Sequence, residues 1–305
     1  MGLSHWFQQW QATTSNLRKV VAINERNLRW IYPNNNRRDY PLADDKNKTK
    51  ERMAWADVPM PRTFKTYGAF FELRTLEKDL EGLREFVIKP ATGSMGGGIL
   101  VIARREGSYW YTVGGQPYSL DDLARHITDI IFGIHSSEMT DSAFIEERIK
   151  QHPVLEALTG SGLSDVRVLL FHGRPVMAML RLPTKESQGK SNLHQGALGV
   201  GVDLATGFSI HASHFGKSIT IHPDTESNLI GIQIPFWHSV LDVAKRAAGA
   251  MPLKYLGADI AITPKGPVML EINARPGLEI QNVNGRGFGD LLEAIETDVA
   301  EEMRK

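Results

Sequence analysis

Cysteine is absent from all 305 residues of the sequence. Its absence excludes a disulfide scaffold, a thiolate nucleophile and a metal site with cysteine ligands. An excess of charge of one sign is absent too, because 35 lysines and arginines balance 35 aspartates and glutamates. Bulk charge therefore gives no reason to expect a nucleic acid or an acidic membrane surface as a partner.

Long apolar runs are also missing from the sequence. No stretch approaches 18 uninterrupted apolar residues, so we expect no membrane span. The first residues, MGLSHWFQQWQATTSN, contain no basic region followed by an apolar run and therefore do not resemble a secretory signal. These absences predict a cytoplasmic protein, and the length allows one large domain or two modest ones.

Helices recur along the chain between shorter segments. Apolar spacing predicts helices over residues 1–32, around KTKERMAWAD, and over 67–82, 238–250 and 288–305. Ser119 opens a further helix that runs to about Phe132, because SLDD has the serine–x–x–acid capping pattern. The predicted core face of the helix over 67–82 consists of Phe70, Phe71, Leu73, Leu76 and Leu80.

The strands are predicted from alternating apolar residues and turn glycines. They cover 85–90, 98–104, 108–113, 116–118 and 142–149, hairpins at 165–183 and 257–277, and several strands within 197–222. A loop is predicted for 150–164. Because short turns join consecutive strands, the predicted fold class is α+β with antiparallel sheets rather than a wound βαβ fold.

A loop with four glycines separates two predicted strands in VIKPATGSMGGGILVI, residues 87–102. The bare backbone N–H groups of such a loop can approach phosphates closely. Walker and Rossmann loops lead into a helix, whereas this loop leads into a strand. Kinases use a comparable flap, but the chain has no His-Arg-Asp or Asp-Phe-Gly segment. We predict a phosphate flap with Lys89 facing the phosphates; the alternatives are a structural turn and a surface lysine.

Carboxylates cluster on the predicted hairpin GADIAITPKGPVMLEINARPG. Glu271 and Asn273 share one sheet face because they are two residues apart. Asp259 joins that face if it pairs with Glu271 across a three-residue loop, or with Asn273 across a five-residue loop, whereas an even-numbered loop places it on the opposite face. Gly266 favours the three-residue loop. Two carboxylates and an amide suit Mg²⁺, and the alternative is a solvated strand face.

These motifs together resemble the ATP-grasp superfamily and, within it, the α-L-glutamate ligase-like (ribosomal protein S6 modification-type) group. The similar segments are FVIKPATGSMGGGILVI, FIEERI, DVRVLLFHGRPVMAMLR followed by KSNLHQG, and GADI…LEINARPGLE, within roughly residues 46–285. The resemblance implies an ATP-grasp fold, in which two antiparallel-sheet α+β subdomains grip ATP. We expect a helical N-terminal segment at 1–45, a small subdomain with the flap at 46–145, and a large subdomain with the Mg site at 146–305.

The resemblance also implies a role for individual residues. Lys89 contacts ATP phosphates, and so does one early lysine, either Lys48 or Lys50. The nucleotide site further comprises the flap residues Gly93, Ser94, Gly96 and Gly97, the adenine hinge Glu147 and Arg148, and Asp165 on the ribose. The metal ligands are Asp259, Glu271 and Asn273, and the transferred phosphate lies on Arg181 and Asn192. Two features differ from the group: its usual preceding domain is expected to be absent, and Arg275 replaces a common serine before proline.

The implied activity is ATP- and Mg²⁺-dependent ligation of a carboxylate to an amine through an acyl phosphate, with Mn²⁺ as an alternative metal. An amino acid such as glutamate would be added to a peptide or small-molecule acceptor. We expect these substrates to enter past Arg275 and residues 278–287. Arg275 and Arg286 could clamp a carboxylate there, and the alternative is that both are ordinary surface arginines. Two other functions stay open: a small-molecule kinase and a non-catalytic nucleotide sensor. Whether the chain forms a homo-oligomer is also open.

Overall fold

The computed structural model describes residues 19–92, 96–136, 140–160 and 162–304. The chain forms two compact units. The first consists of Met1–Ala43, Glu51–Pro59 and Gln151–Lys305, and the second of Asp44–Lys50 and Met60–Lys150. Each unit is built on its own antiparallel sheet, so the predicted α+β class is confirmed. The three predicted segments, 1–45, 46–145 and 146–305, stay a prediction of domain organisation.

The helices of the described residues are named here in chain order. They are α1 (Ile23–Glu25, continued by a π-helical turn over Arg26–Ile31), α2 (Pro41–Asp44), α3 (Lys46–Trp55), α4 (Leu76–Asp79, preceded by a 3₁₀ turn over Phe70–Thr75), α5 (Leu120–Ile131), α6 (Pro153–Thr159), α7 (Trp237–Ala250), α8 (Glu279–Val283) and α9 (Gly289–Glu302). Short 3₁₀ turns also cover Arg37–Asp39 and Leu193–Gln195. No helix in this described part has the length and apolarity of a membrane span.

The second unit contains a six-stranded sheet. Its strands are β1 (Thr63–Tyr67), β2 (Phe86–Pro90), β3 (Leu100–Glu106), β4 (Tyr109–Thr112), β5 (Pro117–Tyr118) and β6 (Ala143–Glu146). The spatial order is β1-β6-β2-β3-β4-β5, and all neighbours pair antiparallel. Strand β6 is inserted between β1 and β2, which brings Phe144 opposite Lys89.

Helix α5 packs on this sheet and begins as its sequence predicts. The Ser119 hydroxyl accepts a hydrogen bond from the Asp122 backbone N–H at 3.2 Å, and the Asp122 carboxylate accepts one from the Ser119 N–H at 3.0 Å. This reciprocal capping box satisfies backbone donors that the first helical turn leaves unpaired. The apolar face of the helix, with Leu123, Ile127, Ile130 and Ile131, is buried in the core of the unit.

The first unit contains a seven-stranded antiparallel sheet. Its strands are β7 (Asp165–Phe171), β8 (Arg174–Leu182), β9 (Leu198–Val202), β10 (Ser209–His214), β11 (Lys217–Ser218), β12 (Tyr255–Thr263) and β13 (Gly266–Asn273). The spatial order is β11-β10-β9-β8-β7-β12-β13. Helix α7 buries Val240, Val243, Ala244 and Ala247 against strands that include β7, β12 and β13. Charged side chains can lie on the opposite face of the sheet, which α7 does not cover.

The N-terminal part of the chain is bound to the sheet of the first unit. The buried Asn35 side chain donates to Tyr255 O at 2.6 Å and to Ala274 O at 3.3 Å. Its Oδ1 accepts from the backbone N–H of Lys254 at 2.9 Å and of Tyr255 at 3.0 Å. A single amide therefore fixes this segment beside the start of β12 and the end of β13.

Three local predictions need correction. Residues 150–164 are not a loop throughout, because α6 begins at Pro153, with His152 capping it, and ends before Gly160 at φ 68°. Phe70 and Phe71 are exposed rather than in the core. They lie in a 3₁₀ turn, whose periodicity differs from that of an α-helix, so they do not share the buried face of Leu76 and Leu80. Of the helix predicted over 1–32, residues 1–18 fall outside the described ranges and 19–22 are not helical.

Candidate active site

The hairpin of β12 and β13 brings Asp259 and Glu271 together. Asp259 pairs with Glu271, and Gly257 pairs with Asn273, so the predicted register is confirmed. The predicted three-residue loop is wrong. A β-bulge follows Asp259, after which Thr263 pairs with Gly266, leaving a two-residue turn of Pro264 and Lys265. Gly266 has φ 126°, a conformation that glycine adopts readily.

Strands β7 and β8 place charged residues beside this hairpin. Arg167 pairs with Asp259 across the β7–β12 ladder, and Asp165 pairs with Arg181 across the β7–β8 ladder. Asp165 and Arg167 are two residues apart on one strand and therefore share a sheet face. The antiparallel register thus forms a charged row across four strands, from Glu271 to Arg181.

Asp259 is the centre of this row and is only 1% exposed. Its carboxylate accepts two hydrogen bonds from Arg167, at 2.7 and 2.6 Å, and one from Arg181 at 2.6 Å. The Asn273 amide donates a fourth at 3.1 Å. Burial alone would raise the pKa of Asp259, but the two guanidiniums outweigh burial and hold that pKa below its usual range.

Arg181 links Asp259 to a second buried carboxylate. Its Nε donates to Asp165 at 2.6 Å. Burial opposes the charged form of Arg181, but Asp165 and Asp259 dominate and raise its pKa. Burial, with the negative charge of Asp259, raises the pKa of Asp165 to about 6 against the opposing effect of Arg181. Asp165, which is predicted to hold a ribose, instead accepts a hydrogen bond from Arg181 in this structure.

Glu271 and Asn273 complete a set of oxygen donors. The Asn273 amide lies 3.4 Å from Glu271 Oε1, and both residues are half-buried. Across the described ranges, no group of three or more His, Cys, Asp or Glu residues forms a metal-binding cluster, so any metal here depends on two carboxylates and one amide. Such oxygen ligands fit Mg²⁺, which keeps several waters, although Asp259 would share its oxygens with two arginines.

A lysine pair occupies the second unit. Lys50 Nζ lies 2.8 Å from Glu146 Oε2, and Lys89 Nζ binds Glu146 Oε1. The two ammonium nitrogens lie 5.1 and 5.2 Å from the centre of the Phe144 ring. Both lysines are thus positioned by one carboxylate and one aromatic face.

Lys50 and Lys48, the two candidates for the early lysine, have different surroundings. Lys50 Nζ also donates to Thr63 Oγ1 at 2.6 Å and to Pro61 O at 2.9 Å. Burial lowers the pKa of Lys50, and Lys89 lowers it further, against the opposing effect of Glu146. Lys48 is half-exposed and pairs with Asp45 at 3.8 Å. The structure therefore brings Lys50, and not Lys48, together with Lys89.

The two ends of the glycine loop are anchored by side chains. The Thr92 N–H donates to both oxygens of Asp141 at 3.1 Å, and Asp141 also accepts from the Ser142 N–H at 2.7 Å. At the other end, His126 Nε2 lies 2.9 Å from Gly98 O. Gly96 and Gly98 have φ values of 72° and 73°, which explains glycine at these turn positions. Gly97 lies between them, whereas Gly93 and Ser94 lie outside the described residues.

Comparison with models of known protein families identifies the family of this chain. The model of the sugar-transfer associated ATP-grasp family matches residues 25–297. The chain belongs to this ATP-grasp family. Membership agrees with the resemblance that the glycine loop, the segment FIEERI and the carboxylate hairpin carry in the sequence.

Curated relatives of this ATP-grasp protein include probable α-L-glutamate ligases, which confirms the predicted group resemblance. The protein of Trichodesmium erythraeum is 27% identical over 214 residues, covering 70% of this chain and 55% of the relative. That of Psychromonas ingrahamii is 26% identical over 217 residues, covering 70% and 56%. That of Sodalis glossinidius is 30% identical over 129 residues, covering 42% and 32%. The chain thus spans about half or less of these relatives.

Solved structures of similar fold include two ligases. D-alanine–D-alanine ligase from Bacillus anthracis complexed with ATP has TM-score 0.48 and 16% identity, covering 86% of this chain and 68% of that chain. VanG D-Ala:D-Ser ligase from Enterococcus faecalis also has TM-score 0.48 and 16% identity, covering 84% and 61%. At TM-scores below 0.5 these likenesses carry no argument about substrate.

Four residues predicted for the site make their described contacts with other partners than the residues of the charged row and the lysine pair. Glu147 is exposed, and its carboxylate lies 3.5 Å from the Arg62 N–H. Arg148 pairs with Glu85 at 3.2 Å. Asn192 caps its own turn, accepting from the His194 N–H at 3.0 Å. Arg275 is exposed, with its guanidinium 5.2 Å above the Tyr40 ring.

The sequence analysis does not predict three residues that the structure places in the charged row, in the lysine pair and at the end of the glycine loop. Arg167 carries a clear signal, because it lies two residues after Asp165 in DVRV and so shares its strand face. Glu146 stands one position before the predicted hinge residue Glu147, and the sequence gives no signal that it contacts Lys50 and Lys89. Asp141 has no local signal, since its contacts with Thr92 depend on the pairing of distant strands.

Proposed function

We propose that this chain is an ATP- and Mg²⁺-dependent carboxylate–amine ligase that forms an amide through an acyl phosphate. The observation that carries the proposal is the row of Glu271, Asp259, Arg167 and Arg181 in a member of an ATP-grasp family. A charged row of this kind suits phosphoryl transfer, in which positioning and electrostatic stabilisation do most of the work.

The metal would be held by Asp259, Glu271 and Asn273. When bound, Mg²⁺ would supply positive charge that neutralises the phosphate oxygens of ATP. Arg167 would keep the Asp259 carboxylate oriented, because its two hydrogen bonds fix both oxygens. Arg181, held by Asp165 and Asp259, would present a permanently charged guanidinium to the phosphoryl group.

In the second unit, the lysine pair would bind phosphate oxygens. Glu146 neutralises part of the charge of the two lysines and holds them side by side. The backbone of the glycine loop would contribute N–H donors, with Asp141 and His126 holding its ends. Glu147 and Arg148 would lie at the adenine, and Arg275 at the substrate.

The chemistry divides into two steps. In the first, an oxygen of the substrate carboxylate attacks the γ-phosphorus, the bond to the bridging oxygen breaks, and ADP leaves. In the second, the amine attacks the acyl carbon, inorganic phosphate leaves, and the amine loses a proton to solvent or phosphate. Neither step needs an enzyme nucleophile, which agrees with a chain that has no cysteine.

The substrates would be an amino acid such as glutamate and a peptide or small-molecule acceptor. Support comes from relatives described as probable α-L-glutamate ligases. The matching family carries a different description, sugar-transfer associated, which supports testing acceptors beyond peptides.

The experiment measures ADP release from Mg-ATP with pooled amino acids, peptides and amino sugars, with mass spectrometry of the products. We expect ADP with an amide product, lost in Glu271→Gln and retained in the exposed control Glu293→Gln. A phosphorylated product without amide would replace the proposal with a kinase. Tight Mg-ATP binding with no turnover on any pool would favour a nucleotide sensor.

A further inference from the structure

Arg26 carries a buried charge without a carboxylate partner in residues 19–304 as described. It is 6% exposed, and among the residues that the structure describes no ion pair within 4.0 Å includes it. Its Nη1 donates to Pro276 O at 2.7 Å, and its Nε and Nη2 donate to Asn27 Oδ1 at 3.0 and 2.8 Å. These neutral acceptors orient the guanidinium but do not compensate its charge, although buried charges are normally paired.

Two buried phenol hydroxyls accompany this charge. In the described part of the chain, neither Tyr40 Oη nor Tyr255 Oη has a hydrogen-bond partner, and Tyr255 is fully buried. Against the larger effect of burial, Tyr255, Tyr32 and Tyr40 raise the pKa of Arg26. Two contacts link this group: Arg26 donates to the carbonyl of Pro276, which follows Arg275, and the Arg275 guanidinium lies 5.2 Å above the Tyr40 ring. Buried hydroxyls normally find an acceptor, so two such donors near a cation that has only neutral acceptors favour an anionic ligand.

Arg275 supplies a second positive charge at the same place. Burial lowers the pKa of Arg26, and the charge of Arg275 lowers it further. The Arg275 guanidinium lies above the Tyr40 ring, and the residue follows Asn273 by two positions. Two like charges near one another are unfavourable in the free protein, and an anion between them relieves that repulsion.

We propose that Arg26 and Arg275, with the hydroxyls of Tyr40 and Tyr255, form a subsite for a non-reacting carboxylate of the substrate. The inference rests on the proposed ligase function. Carboxylates match guanidinium geometry through paired charge-assisted hydrogen bonds, and they accept from phenols. The subsite therefore selects a substrate that carries one carboxylate more than the reaction consumes.

The position of the subsite favours a carboxylate that does not react. Tyr255 precedes Asp259 by four residues on β12, and a strand advances about 3.3 Å per residue, so the two lie about 13 Å apart. A carboxylate held by two guanidiniums also has its negative charge neutralised, which makes it a poor nucleophile. The reacting carboxylate could bind the same groups, and the kinetic measurements below distinguish a reacting from a non-reacting carboxylate in the subsite.

Binding is tested with succinate and its neutral isostere succinamide at equal ionic strength, using thermal unfolding of the full chain. We expect succinate to raise the unfolding temperature of the wild type above that with succinamide. Tyr255→Phe and Arg275→Gln should abolish the difference, and the control Arg29→Gln should retain it. Tyr255→Phe removes only an unpaired hydroxyl, so the ligand-free stability should be unchanged or higher, unlike in a folding defect.

Turnover is measured on the same preparations with Mg-ATP and the pooled substrates. Arg275→Gln should raise the KM of the carboxylate-bearing substrate about ten- to a hundredfold with kcat within about twofold, because the contact is equal in ground and transition states. A fall in kcat at constant KM would assign the subsite to the reacting carboxylate and overturn the proposal.

The two proposals fail in different ways. Equal effects of succinate and succinamide on the wild type would overturn the subsite, even where ADP and amide form normally. A succinate-specific shift that Tyr255→Phe abolishes would support the subsite, even where no turnover occurs and the ligase function fails.

Discussion

Replacement of Asp259 by asparagine should destabilise the protein strongly. The change keeps the size of the side chain but removes the charge that Arg167 and Arg181 share. Removing one partner of a buried ion pair costs about 3–5 kcal/mol, because the remaining charges stay buried without compensation. At about 2–4 °C per kcal/mol for a domain of 150–250 residues, the unfolding temperature should fall by roughly 6–20 °C.

Glu271→Gln is the matched comparison on the neighbouring strand. Glu271 is half-buried, and its contacts in the charged row are with the Asn273 amide at 3.4 Å and with Asp259, whereas the two arginines bind Asp259 directly. Its replacement should change stability by about 0.5 kcal/mol or less, as for ordinary partly exposed sites. Both variants should lose ATP-dependent turnover, since both remove a proposed metal ligand.

Urea unfolding followed by tryptophan fluorescence, with turnover measured in parallel, separates the two effects. Asp259→Asn should lower both the free energy of unfolding and activity, whereas Glu271→Gln should lower activity alone. An Asp259→Asn protein that unfolds at the wild-type urea concentration would refute the assignment of Asp259 as the charge on which the row depends.

Three further outcomes follow from named contacts. Glu146→Gln should raise the KM for ATP about tenfold, because the lysine pair loses its common carboxylate, while the exposed control Glu106→Gln should not. Asp141→Asn should raise the same KM several-fold by releasing one end of the glycine loop; an unchanged KM would exclude that anchoring role. Ser119→Ala should cost about 1 kcal/mol of unfolding free energy by removing the cap of α5. Hydrogen bonds from Ser119 hold the pKa of Asp122 below its usual value. The stability that this cap contributes should therefore be complete above about pH 4 and fall at lower pH. Ser119→Ala should reduce this pH dependence of the unfolding free energy.

The hairpin of β12 and β13 shows what the sequence can predict. The face shared by Glu271 and Asn273 follows from their two-residue spacing, which is a local signal. The pairing of Asp259 with Glu271 results instead from a two-residue turn and a bulge, and not from the three-residue loop that Gly266 favoured. The bulge after Asp259 has no such signal, because it depends on how β12 pairs simultaneously with β7 and β13. The predicted register was therefore right while the loop length was wrong.

The contacts within the charged row could not be predicted from local sequence patterns. Asp165 and Arg181 were each assigned to the nucleotide from motif resemblance, but their contact depends on the β7–β8 register. The pairing of Lys50 and Lys89 through Glu146 likewise depends on β6 lying beside β2, although residues 91–142 separate the two strands in the chain. Sequence alone identifies the residue types, and the sheet order decides which of them meet.

The acyl-phosphate route is tested most directly with the acid substrate labelled with ¹⁸O in its reacting carboxylate. One turnover with Mg-ATP and the amine should transfer one ¹⁸O from the carboxylate to the inorganic phosphate that is released. The account predicts labelled phosphate in amounts equal to the amide product. Amide formation with unlabelled phosphate, or phosphate release without amide, would contradict it.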